Sequence, residues 1–146
     1  VEDDKYFAAL KTAFASEYAF ALKAQNFHWN VEGPNFPQYH ALFEKIYDEV
    51  YGVIDDFAEN LRKVGTYTPA SFSRFNMLTV VEDETQLLDE RSMLMELYED
   101  SEKMANIFKA IFQLAEERGD HGLSDFFAAR QDAHKKHSWM LRATLK

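Results

Sequence analysis

Apolar side chains recur at spacings of three and four through most of the chain, and that period restricts it to long helices. Phe7, Leu10, Phe14, Tyr18 and Ala21 form the first stripe, which predicts a helix ending near residue 30, with Asp3 and Asp4 as its caps. The turn residues Gly33, Pro34 and Pro37 break it, and Pro37 suits the first turn of a second helix. That helix, over residues 36–64, carries Phe43, Ile46, Tyr47, Val50, Ile54, Phe57 and Leu61, with Gly65 as its stop. Residues 66–82 form the longest irregular stretch, with a short helix expected in "SFSRFNML". A third long helix is predicted over 84–118 and a fourth over 123–145, with Gly119 between them. Only five Gly and three Pro interrupt 146 residues, which leaves no room for a sandwich of short strands. The expectation is one all-α domain over residues 1–146: a four-helix bundle whose long connection between the second and third long helices crosses the bundle.

Charge and composition narrow the chemistry. The net charge of −9 disfavours nonspecific binding to nucleic acid and suits cations. With no cysteine, a bound metal must use imidazole and carboxylate, a donor set for iron, manganese or zinc. No apolar run reaches the roughly 18–20 residues needed to span a bilayer, and no signal-peptide core is visible, so a cytoplasmic location without membrane attachment is expected.

The second helix carries the feature that helix stability does not explain. Its polar stripe reads His40, Glu44, Asp48, Asp55 and Glu59, with His40–Glu44 and Asp55–Glu59 each one turn apart. His40 and Asp55 are about 22 Å apart along the axis, so one helix cannot close a site from both pairs. Residues 40 and 59, and residues 44 and 55, are each equidistant from a point near 49 and 50. Two copies packed antiparallel about a two-fold axis there would set His40 against Glu59 of the partner subunit, and Glu44 against Asp55 of the partner subunit. His28, at the end of the first helix, could add a nitrogen ligand. A row of Asp and Glu is by itself more often a solvated face; two histidines in this register put metal binding level with that reading. Trp29 reads as a core or interface residue. His134 and His137, with two lysines between them, are expected on a surface face, and His121 is expected to be exposed.

The pattern H-W-N-x-x-G-x-N-F-x-x-x-H-x-x-x-E from His28 to Glu44, then "DDFAENLRKVG" from Asp55 and "SDFFAARQDAHKKHSWMLRA" from Ser124, resembles the Dps family of miniferritins over nearly the whole chain. The resemblance implies a ferritin-like four-helix subunit with a short helix in the middle connection, assembled as a homododecameric hollow shell. It implies a ferroxidase centre at the two-fold interface, with His28 and His40 from one subunit, Asp55 and Glu59 from the other, and Glu44 as a further ligand. Trp29 would sit beside the iron and receive oxidising equivalents. The implied activity is oxidation of Fe2+ by hydrogen peroxide or oxygen, storage of ferric mineral and protection against oxidative stress, with zinc or manganese as substitutes for iron. Asp120 and Asp125 are the candidates for an iron-entry pore; the alternatives are a helix cap for Asp120 and a solvated carboxylate for Asp125. The chain contains no Glu-x-x-His, the motif of di-iron sites inside one bundle, which favours the interface site. DNA binding, the family's other activity, is not expected of a chain this acidic. The alternative function is a non-catalytic cage of the same fold acting in DNA packing or surface interaction.

Overall fold

The computed structural model describes the backbone of residues 2–146 and the side chains from Asp4 onward. The elements are α1 (Glu2–Asn30), α2 (Phe36–Lys63), the short α3 (Phe72–Leu78), α4 (Glu90–Glu117) and α5 (His121–Leu145). Asp3 and Asp4 lie inside the first turn of α1 and not ahead of it; the position before the helix falls outside the described residues. The Asp4 carboxylate still complements the positive end of the helix.

Three glycines make the turns at the ends of helices. Gly33, Gly65 and Gly119 have φ values of 136°, 103° and 77°, which side chains with a Cβ rarely adopt. α3 starts where expected, because the Ser71 hydroxyl caps it by accepting from the Arg74 amide at 3.3 Å. α4 begins six residues later than its apolar pattern suggested. Asp89 caps it, its Oδ1 accepting from the Ser92 amide at 2.7 Å. Upstream, the Glu84 carboxylate accepts from the Gln86 amide and its carbonyl accepts from the Asn26 side chain. These local bonds offer residues 84–89 an alternative to the helix, and the cap at Asp89 settles the boundary.

α1 packs on α2 and α4 packs on α5, while α1 also contacts α4 and α3. The connection after α2 carries the chain to α4, which returns antiparallel to α1. Aromatic rings fill the centre: Phe20, Phe27, Phe43, Phe57, Phe108 and Phe127 are all fully buried. The Phe14 and Phe57 rings meet edge to face at 5.2 Å. Each such ring removed from water contributes about 1.5–3 kcal/mol. A buried ion pair, Lys23 Nζ to Asp100 Oδ2 at 2.8 Å, ties α1 to α4.

Candidate metal centre

The last turn of α1 and the first turns of α2 fold back on each other across residues 31–35. Phe27 and Phe43 are the buried anchors on the two sides, 5.9 Å apart, and they fix how the neighbouring His28 and His40 meet. The two imidazoles stack with centroids 3.8 Å apart and planes 15° from parallel. His28 Nδ1 lies 2.7 Å from the His40 carbonyl, and His40 Nδ1 lies 2.6 Å from the His28 carbonyl. A carbonyl oxygen only accepts, so both Nδ1 atoms carry the proton and donate. The His28 carbonyl is available because it belongs to the last turn of a helix. This reciprocal pair fixes the tautomer and leaves each Nε2 with a free lone pair, the state in which imidazole binds metal.

Glu44, one turn beyond His40, brings Oε1 to 3.8 Å from His28 Nε2. Ligand atoms of His28, His40 and Glu44 all lie within 4.8 Å of one another. Farther along α2, ligand atoms of Asp55, Asp56 and Glu59 lie within 4.8 Å of one another, all three side chains exposed. Three carboxylates that close repel unless a proton or cation intervenes. Asp56 went unnoticed in the sequence, although its adjacency to Asp55 was a signal. The structure thus brings together His28, His40 and Glu44 as one half-set and Asp55 with Glu59 as another. It does not bring the two half-sets together in one chain.

The remaining candidates are placed as follows. Trp29 is 62% exposed, so it is not a core residue of this subunit. His121 is exposed, as expected. Asp120 occupies the position before α5 without capping it through its side chain; its Oδ2 accepts from the Tyr6 hydroxyl at 3.1 Å. Burial, and then the Asp120 carboxylate, hold the Tyr6 phenol well above its ordinary pKa. Asp125 is exposed and lines a polar groove with Asp56, Glu59, Asn60 and Lys63.

The expectation for His134 and His137 is overturned. Both are buried, at 0% and 2% exposure, and the two lysines between them point outward. Phe127, Arg130, His134, His137 and Leu141 are spaced by three and four, so α5 carries these polar residues on its core stripe. His134 Nε2 is 2.6 Å from Glu17 Oε1, and His137 Nε2 is 2.8 Å from Glu49 Oε1. Arg130 joins the two carboxylates. Its Nε and Nη2 donate to Glu17 Oε2 at 3.0 and 2.9 Å, and its Nη1 donates to Glu49 Oε2 at 2.6 Å. Glu17, Glu49 and Arg130 were all missed from sequence; the signal was Glu17 on the stripe of α1 between Phe14 and Ala21. Burial pushes the Glu49 carboxyl up, but hydrogen bonds from His137 and Arg130 outweigh it and bring it down to about 2. Burial likewise opposes ionisation of Glu17, and His134 and Arg130 together still hold it below the usual range. Burial lowers the His137 pKa, with Glu49 opposing that shift.

Five helices with this crossover define a ferritin-like subunit. The ferritin-like domain family matches residues 7–146. The chain is 31% identical to the DNA protection during starvation protein of Helicobacter pylori, over 97% of this chain and 99% of that one. It superposes on Dps of Thermosynechococcus elongatus with a TM-score of 0.95 and 26% identity, covering 99% of this chain and 92% of that chain. For the Dps protein of Vibrio cholerae, described as one of the ferritin-like diiron-carboxylate proteins, the TM-score is 0.93 at 30% identity, with 99% and 91% covered. The chain belongs to the Dps family. Among the described residues, no helix is long and apolar enough to cross a membrane.

Proposed function

We propose that this protein is a ferroxidase and iron-storage cage whose iron site is completed only when two subunits pair. The observation that carries the reading is the division of ligands. One half-set holds two imidazole lone pairs and a carboxylate, the other holds carboxylates alone; His40 with Glu44 and Asp55 with Glu59 lie on α2 at equal distances from its midpoint, and His28 joins the first pair from the end of α1. Antiparallel pairing about that midpoint joins each nitrogen-rich half-set of one subunit to a carboxylate half-set of the other. The same face supports pairing in a second way. α3 leaves Phe72 and Met77 exposed at 85% and 78%, and Phe72 borders an apolar groove that includes Ile54 and Ala58 of α2. Exposed apolar side chains of this kind suit a protein contact. Trp29, exposed next to His28, would be covered by the same contact.

In this reading Fe2+ is the substrate. The neutral imidazoles of His28 and His40 bind it in the ferrous state, and the carboxylates of Glu44, Asp55 and Glu59 favour the harder, more charged ferric ion. Two Fe2+ held together give two electrons to one hydrogen peroxide, which takes up two protons and leaves as two waters, so no one-electron hydroxyl radical is released. Ferric product collects in the shell, and Asp125, in its polar groove, is the better-placed candidate for iron entry because Asp120 is engaged by Tyr6. A twelve-subunit particle of about 200 kDa is the assembly the reading requires. Direct packing of DNA is the weaker alternative, because a shell of subunits each carrying −9 repels phosphate. Protection by removing iron and peroxide needs no contact with DNA.

The test is to mix the protein with Fe2+ and hydrogen peroxide and follow ferric absorbance. Growth well above a protein-free control is expected, and His40→Ala or Asp55→Ala should each slow it while the assembly mass is kept. Absorbance no faster than the control would defeat the reading.

A further inference from the structure

The buried cluster at the centre of the bundle is built like a cation site and is already occupied by part of the chain. Three helices contribute to it: Glu17 from α1, Glu49 from α2, and Arg130, His134 and His137 from α5. The arrangement is nearly symmetric. Each carboxylate holds one imidazole Nε2 on one oxygen, and both carboxylates converge on a single guanidinium. Arg130 is 3% exposed and spends its Nε, Nη1 and Nη2 atoms on these two partners. Helix bundles of this kind place metal ions between carboxylates and imidazoles of facing helices. Here the i, i+3 pair on α5 is His134 and His137 in place of Glu and His.

Arg130 brings one permanent cation to two carboxylates, so it does not balance them alone; the Glu17 side chain is fully buried and that of Glu49 is 35% exposed. Both imidazole Nδ1 atoms are buried without a hydrogen-bond partner, so the cluster is also not fully satisfied by hydrogen bonding. A dication in place of the guanidinium would match the formal charge of the two carboxylates. Carboxylates together with imidazoles whose Nδ1 atoms are unpartnered are donor types that zinc, cobalt and ferrous iron accept.

We propose that the bundle core is a divalent-cation pocket closed by a tethered monovalent one: Arg130 stands where a metal ion would sit between Glu17, Glu49, His134 and His137. Its consequence is selectivity. The subunit keeps a carboxylate–imidazole core that stabilises the bundle, while the guanidinium keeps transition metals out of it. Metal chemistry is thereby confined to the surface half-sets, where the product can leave. The inference stands on the core geometry alone and holds whether or not the paired-subunit site oxidises iron.

Cobalt(II) tests it, with His40→Ala and Asp55→Ala both introduced so that the surface half-sets are crippled. In that background, Arg130→Ala should take up about one Co2+ per subunit, with the visible bands of an imidazole–carboxylate complex and an unfolding midpoint that rises with added metal. The background with Arg130 intact should show neither. Adding Glu17→Gln should weaken the uptake at least about tenfold, the scale of losing one group from a metal site, and Arg130→Lys should restore exclusion. If Arg130→Ala fails to fold alone, refolding with Zn2+ decides: recovery of the folded assembly supports the proposal, and failure to recover overturns it. A folded Arg130→Ala variant that binds no more Co2+ than the background overturns it too.

Discussion

Two groups of histidines and carboxylates occupy this subunit, and they are opposite in design. In the surface group, His28 and His40 satisfy each other's Nδ1 through backbone carbonyls and hold their Nε2 lone pairs unspent. In the core group, His134 and His137 direct Nε2 into carboxylates, and Arg130 bridges the two carboxylates. The first is incomplete until something arrives; the second is already closed. Residue type alone does not separate a metal ligand from a structural histidine. What separates them is which ring nitrogen the protein has already used, and whether a cation of the chain's own is within reach.

That contrast predicts unequal responses to mutation. The largest effect on stability is expected in the core. Glu17→Ala leaves His134 buried without its carboxylate and Arg130 with Glu49 alone, and should lower unfolding free energy by about 3–5 kcal/mol, read by denaturant titration. A loss no larger than that of an exposed carboxylate would mean that the cluster is not a single coupled network. The largest effect on chemistry is expected at the surface. Asp55→Ala or Glu59→Ala should slow Fe2+ oxidation at least about tenfold, with the denaturation midpoint unchanged because both side chains are exposed.

Acid should distinguish the groups more gently. Glu49 is at about 2 in the folded state against 4.5 in an unfolded chain, so its contribution to stability is present above pH 4.5 and is lost as pH falls toward 2. Glu17 is shifted in the same direction. His137, lowered from 6.5, also contributes stability that is present above that value and is lost as pH falls below it. Stability should therefore begin to fall below about pH 6.5 and fall more steeply below 4.5. Glu49→Gln, measured by thermal unfolding across that range, should flatten the lower part of the profile. Glu96 has the opposite sign. Burial, then the neighbouring Glu84, raise it to about 7 despite Lys23, so the stability it contributes is present below 4.5 and lost as pH rises through 7. Glu96→Gln should remove that smaller loss between about pH 4.5 and 7.

The sequence carried the helices well, because thirteen Phe and few breakers leave a periodic stripe little freedom. It failed at the start of α4, where Asp89 and Glu84 bind nearby amides and local hydrogen bonds overrule the apolar pattern. The surface half-sets were legible because their spacing along α2 is symmetric, a property of the sequence itself. The core group was not. Lys135 and Lys136 suggested a solvated face, whereas the deciding evidence was the three-and-four spacing from Phe127 to Leu141. The partner of a buried charge lies on another helix, and Glu17 is separated from Arg130 by most of the chain. No local pattern announces such a pairing. Trp29 belongs to a third kind: it is 62% exposed, and no described residue of this subunit covers it.

Shared ownership of the iron site is the central claim, and subunit mixing tests it most directly. His40→Ala and Asp55→Ala proteins, each slowed when alone, should be dissociated together and reassembled. In a mixed pair one site carries both defects and the other is intact, so random pairing should restore roughly a quarter of the wild-type sites and a matching share of ferroxidase activity. Activity that stays at the level of the single variants would contradict the account, since a site contained within one chain cannot be repaired by a partner.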